Sequence, residues 1–120
     1  MKYMILIYGN QELWESFPAD EFAELVRATD AHNTALRASG EFVGAYGVAD
    51  QVMAKTVRVH DGLPAVTDGP YIEAKEYLGS FTIVDCEGLD RALEIAAANP
   101  AASFVSIEVR PLEHEAAPAV

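Results

Sequence analysis

Residues 2 to 8, KYMILIY, are apolar on both alternating sides, and no other stretch restricts the fold as much. Tyr3, Ile5 and Ile7 fall on one side of a strand, and Met4, Leu6 and Tyr8 on the other. A sheet with one solvated face alternates apolar and polar residues, so a strand without a polar side has to be covered on both faces. Gly9 and Asn10 end the strand. What the rest of the chain supplies as cover then decides the architecture.

Two stretches have helical spacing. The first runs over residues 18–38: Pro18 lies near its start, Asp20 and Glu21 sit where acids favour the positive end of the helix dipole, and Gly40 closes it. Phe22, Leu25, Thr29 and Leu36 form one stripe at about 100° per residue. His32 lies about 20° from Leu25, at the stripe's edge, which predicts a half-buried side chain. The second runs over residues 88–98, with Leu89, Leu93 and Ile95 apolar, Asp90 near the start and Asn99-Pro100 as the stop.

The remaining regular segments are strands. Residues 41–48 contain two internal glycines, the mark of a bulge or a close backbone approach. Val57 and Val59 alternate with Arg58 and His60 up to Asp61-Gly62, a hairpin signal, with a short return over PAVT. Residues 77–85 follow. In 104–110, Val105, Ile107 and Val109 oppose Phe104, Ser106, Glu108 and Arg110. This order predicts an α+β fold: a ferredoxin-like, split-βαβ antiparallel sheet with two helices on one face. Two helices leave the second side of KYMILIY bare. In a chain of 120 residues the expected cover is a second copy, giving a two-fold homodimer through sheet faces.

Composition excludes several classes of partner. Formal net charge is −11, with only eight Lys and Arg, which is the wrong balance for nucleic acid or an anionic membrane surface. No apolar run reaches the roughly 20 residues that cross a bilayer, and MKYMILIY followed by GNQELWESF lacks the small-residue cleavage site of a signal peptide. Cys86 is the single cysteine, so no intrachain disulfide can form. A reducing compartment, the cytoplasm, is the expected location. One domain over residues 1–112 with a tail over 113–120 accounts for the chain.

Chemistry concentrates in VTDGPYIEAKEYLG, residues 66–79. Asp68-Gly69-Pro70 reads as a turn in which Asp accepts backbone N–H bonds, Gly supplies positive φ and Pro fixes the next φ. The same turn also fits a carboxylate held at a pocket rim. Glu73, Lys75 and Glu76 read as a solvated charge cluster, yet they lie against a strand expected to be buried. Lys75 is suited to pair with Asp68 or Glu76 and to meet an anionic group of a ligand. Tyr8, Tyr46, Tyr71 and Arg110 are candidates for an apolar cleft with polar tips, although Tyr8 and Tyr46 read better as core. Cys86 reads as a small hydrophobe. His32, His60 and His114 show no ligand spacing, so no metal site is expected. GAYG is not a phosphate loop. No cofactor motif appears.

MKYMILIYG, TVRVHDG with VTDGPYIEAKEYLGSFTIVD, and SIEVRPL together resemble the YCII-related proteins, in their DGPF-domain branch, over residues 1 to about 112. Asp68, Gly69 and Pro70 fit the name motif, with Tyr71 in place of its Phe. The resemblance implies a dimeric α/β-barrel. It implies a possible enzyme, because some members place a His and an Asp together in a pocket, and a possible regulatory setting, because others accompany sigma factors. His32 fits the family histidine. The family aspartate falls at Asn99, which removes one half of the acid–base pair.

The expected function is a small cofactor-independent enzyme using His32 and Asp68 for proton transfer on a small molecule, with Tyr71, Glu73, Lys75 and Arg110 as substrate-binding residues. The alternative is a non-catalytic ligand-binding or regulatory module that senses a metabolite without touching DNA.

Overall fold

The computed structural model describes residues 1–116. Four strands form one antiparallel sheet: β1 (Lys2–Gly9), β2 (Phe42–Gly47), β5 (Tyr77–Asp85) and β6 (Ile107–Pro111), in the order β2-β5-β1-β6. A separate hairpin pairs β3 (Lys55–His60) with β4 (Leu63–Asp68). The helices are α1 (Gln11–Glu15), α2 (Ala19–Ser39) and α3 (Leu89–Ala98), with 3-10 turns at Gln51–Met53 and Pro100–Ser103. This is the ferredoxin-like α+β arrangement: each long helix connects two strands that lie on either side of a third. No helix among the described residues is long and apolar enough to cross a membrane.

The core forms where the two long helices meet one face of β1. Tyr3, Ile5, Val84, Leu36, Ala92, Ile95 and Ala96 are buried together, with Phe42, Ile107 and Val109 packed at the margin. Ile5 is 1% exposed, and truncating such a residue to Ala costs about 2–5 kcal/mol. Cys86 is buried as a small hydrophobe. Helix α2 ends as its sequence dictates: Gly40 takes φ 80°, its N–H bonds to Arg37, and the N–H of Glu41 reaches Leu36. The Asp61-Gly62 turn has φ 51° and 76°, the positive pair that a two-residue hairpin requires.

The opposite face carries Met4, Leu6, Phe81 and Ile83, with Tyr8, Glu108 and Arg110 at its edge, as the register of β1, β5 and β6 requires. No helix among the described residues lies on it. Tyr46 packs against Phe81 there, tilted with ring centroids 5.4 Å apart, and is 58% exposed, so it is not the core residue that its sequence setting predicts. The predicted bulge in the second strand lies between Phe42 and Gly44, and the Tyr46 ring covers Gly44 closely enough that a Cβ would meet it at 3.1 Å.

Some local structure lies beyond or against the sequence reading. Gln11–Glu15 are a short helix that the sequence reading leaves out, capped by the Asn10 side chain, which accepts from the N–H of Leu13. Residues 104–106 are not strand: Asn99 caps the turn that begins at Pro100, and the N–H groups of Phe104 and Val105 both return to Ala101. The return strand of the hairpin is Leu63–Asp68, one residue longer than PAVT at each end. Of the expected tail, residues 113–116 lack regular structure, with Glu115 ion-paired to Lys2, and 117–120 lie outside the described residues.

Candidate functional site

The first half of α2 stands away from the sheet, and small residues beneath it leave a hollow. Where β5 passes under α2 it carries Gly79 and Ser80, and the pairing with β1 slips between Ile7 and Tyr8. The resulting cavity has a volume of about 330 Å³. Ile7, Trp14, Phe22, Leu25 and Val26 supply its apolar walls, and Thr29, Asp30, Ser80 and Asn99 its polar groups.

Asn99 is 7% exposed, and its Oδ1 accepts from the N–H of Ala101 at 2.9 Å. Among the described residues no protein acceptor meets its Nδ2, which leaves a donor for a ligand oxygen. Thr29 Oγ1 donates to the Leu25 carbonyl at 2.8 Å, which fixes it as an acceptor toward the cavity. His32 follows Thr29 by one turn on the same stripe and is half-buried, as its spacing predicts, but it does not line the cavity. Burial, aided by the nearby Arg91 guanidinium, lowers its pKa, so the neutral imidazole dominates near pH 7.

The DGPY segment builds a different place. Asp68 is the last residue of β4, and its carboxylate pairs with Lys55 rather than Lys75 or backbone N–H groups, with its side chain 88% exposed. Gly69 takes φ 93°, and its backbone joins the hairpin base through Ala54 and Thr56. Asp68, Glu73 and Lys75 share one open cleft with Asp50 and Gln51. Tyr71 is exposed and does not line that cleft. Arg110 lies on the helix-free face of the sheet, 3.5 Å from Glu108, whose carboxylate accepts from Tyr8 Oη at 3.0 Å. His32 belongs to the helical layer, and neither a hydrogen bond nor an ion pair joins it to Asp68. No group of three or more His, Cys, Asp or Glu placed to hold a metal occurs among the described residues.

Comparison with known proteins resolves the lineage. The YCII-related domain matches residues 1–115. The chain belongs to this family. This YCII-related protein is 33% identical over 116 residues to an uncharacterised protein of Rhizobium meliloti (strain 1021), across 93% of this chain and 92% of the relative. Its fold is similar to that of 5-chloro-2-hydroxyhydroquinone dehydrochlorinase from Burkholderia phenoliruptrix AC1100, solved in complex with 2,5-dihydroxybenzoquinone. The TM-score is 0.57 and the identity 15%, over 96% of each chain. At that identity the likeness speaks for the YCII-related fold alone.

Trp14, Ser80 and the Asn99 donor lack a sequence signal strong enough to mark them. The residues themselves read Asn99-Pro100 as a helix stop, and only the family resemblance marks position 99; small residues in a strand carry no sign that a hollow lies above them.

Proposed function

We propose that this YCII-related protein, of the DGPF-domain branch, is a small cofactor-independent enzyme that acts on a single-ring, oxygen-bearing molecule in the cavity beneath α2. The observation that carries this reading is a buried Asn99 with a free amide donor in an aromatic-walled hollow of about 330 Å³. That volume lies at the small end of ligand pockets and suits one ring. Asn99 Nδ2 donates to a ring oxygen, Trp14 and Phe22 exclude water, and neutral His32, one turn along α2 from Thr29 and outside the lining, is the proton-transfer group of this reading. Asp68, held by Lys55 in the hairpin, has a structural part in this reading. The quinone bound by the dehydrochlorinase of similar fold is a ligand of the same size and chemistry.

One observation favours the alternative, a ligand-binding module without turnover. An amide stands where the family aspartate is expected, and an amide accepts no proton. Calorimetry with 2,5-dihydroxybenzoquinone and simple hydroquinones tests the site. Binding that is lost in Ser80→Leu, which fills the hollow, supports it, and binding unchanged in that variant overturns it. Turnover lost in His32→Gln with binding kept supports the enzyme, and binding without turnover in the unaltered protein supports the module.

We infer that two copies pair through the helix-free faces of their sheets. Met4, Phe81, Ile83 and Tyr46 make an apolar surface around the buried Leu6 on that side, and the hairpin exposes Val57 and Val59 opposite Val66 and Pro64. A lone two-stranded ribbon is marginal in water, which gives the hairpin the same need for a partner.

A further inference from the structure

The cavity beneath α2 carries a single charge. Asp30 is the one ionisable residue in its lining, and no Lys, Arg or His joins it there. Asp30 follows Val26 by one turn, and helical side chains lean toward the N-terminus, so its carboxylate overhangs the turn that brings Val26 to the cavity wall. Val26 is 45% exposed and Asp30 is exposed as well, so this part of the lining is the mouth.

The fold makes no use of this carboxylate. Asp30 stands in the middle of α2, away from the positive end of the helix dipole where an acid stabilises the helix. Arg27, the nearest cation along the helix, pairs with Glu24. Thr34 Oγ1 donates to the backbone carbonyl of Asp30 and not to its side chain. Among the described residues no hydrogen bond or ion pair reaches the Asp30 side chain. The other polar groups of the lining are mixed. Asn99 Nδ2 and Trp14 Nε1 are donors that meet no protein acceptor among the described residues. Ser80 Oγ serves either way, and Thr29 Oγ1, whose hydrogen goes to Leu25, only accepts. A ring oxygen beside Asn99 therefore meets a donor, whereas one at the mouth meets a carboxylate, which takes a hydrogen from a hydroxyl and repels an oxyanion. A chain of net charge −11 adds a field of the same sign.

We propose that Asp30 is the specificity-determining residue of this cavity. It selects an uncharged ring that presents a free hydroxyl at the mouth, a hydroquinone, and disfavours an anionic ring of the same size. This role rests on the reading of the cavity as a site for a single oxygen-bearing ring.

Titration calorimetry of the full chain with three rings tests the proposal: hydroquinone, its dimethyl ether, and 2,5-dihydroxybenzoquinone, a vinylogous acid that is anionic at neutral pH. Hydroquinone binds about fivefold or more tightly than the ether, which has no hydrogen to give. Asp30→Ala removes that preference by weakening hydroquinone while the ether binds as before. Asp30→Asn keeps an acceptor oxygen without the charge and strengthens the anionic quinone severalfold. Both variants keep the melting temperature of the unaltered protein, since the replaced side chain is exposed and unbonded. Hydroquinone affinity unchanged in Asp30→Ala, or an anionic quinone bound no more tightly by Asp30→Asn, overturns the proposal. Ser80→Leu distinguishes the two levels of failure. Hydroquinone binding that survives it removes the ring site and this role together. Binding that Ser80→Leu abolishes and Asp30→Ala leaves untouched keeps the site and removes only the role of Asp30.

Discussion

Arg91 on α3 grips Glu41 at the entry to β2 with two parallel bonds, Nε to Oε2 at 2.9 Å and Nη2 to Oε1 at 2.8 Å. Ser39, at the end of α2, donates to the same carboxylate at 2.8 Å, so one side chain ties three elements together. These bonds hold the Glu41 carboxyl down to about 2, against an ordinary value of 4.5.

A depressed carboxyl stabilises the fold above its unfolded pKa, and the contribution drains away as pH falls from about 4.5 toward about 2. Chemical unfolding followed across that acid range should therefore show stability falling in the unaltered protein. Glu41→Gln should be less stable near neutrality and should flatten that part of the profile. A profile of the same slope in both proteins excludes Glu41 as its source.

His32 acts over a different window. Its pKa is lowered in the fold, so the unfolded chain takes up the proton first. Stability should be indifferent to this residue above about pH 6.5 and should decline as pH falls below it, until folded His32 also charges. Melting curves of the unaltered protein and His32→Asn should converge in shape at high pH and separate below that point. NMR titration of the imidazole should give a midpoint below that of a free histidine.

Asn99 has two tasks that substitution separates. Asn99→Ala removes the cap of the 100–103 turn and should cost about 1 kcal/mol in urea unfolding. Asn99→Asp keeps the cap, so its stability should stay close to that of the unaltered protein. It replaces the free donor with a charge, and binding of an anionic quinone should fall at least tenfold by calorimetry. A folded Asn99→Asp variant that binds as well as the original rules out the amide as the contact.

Pairing through the open sheet face predicts a sedimenting particle of twice 13.0 kDa at micromolar concentration. Phe81→Glu sets a charge in the middle of that surface, beside Tyr46, and should return the single chain with its secondary structure intact. A single-chain mass for the unaltered protein removes the paired arrangement.

What the sequence reveals here is what neighbours in the chain decide. Gly40 and Asp61-Gly62 are legible because positive φ is a local demand that few residues meet. The two apolar sides of KYMILIY are legible because the strand period is two. Residues 104–106 mislead, since β-branched and aromatic residues there favour a strand while the Asn99 cap two turns earlier winds the chain into a helix-like turn. Tyr46 misleads because its face lacks the helical cover that an aromatic residue in a strand usually has. Lys75 is the nearer neighbour of Asp68 in sequence, but the hairpin register sets Lys55 directly opposite Asp68. The cavity is the least legible part. It depends on what Gly79 and Ser80 fail to fill.

The bond from Asn99 Oδ1 to the amide of Ala101 can be made equally by an aspartate, whose oxygen occupies the same place. The backbone is therefore blind to which of the two residues stands there, and only the interior of the hollow registers the exchange. One substitution therefore exchanges a hydrogen-bond donor for a carboxylate in this wall while the cap on Ala101 stays as it is.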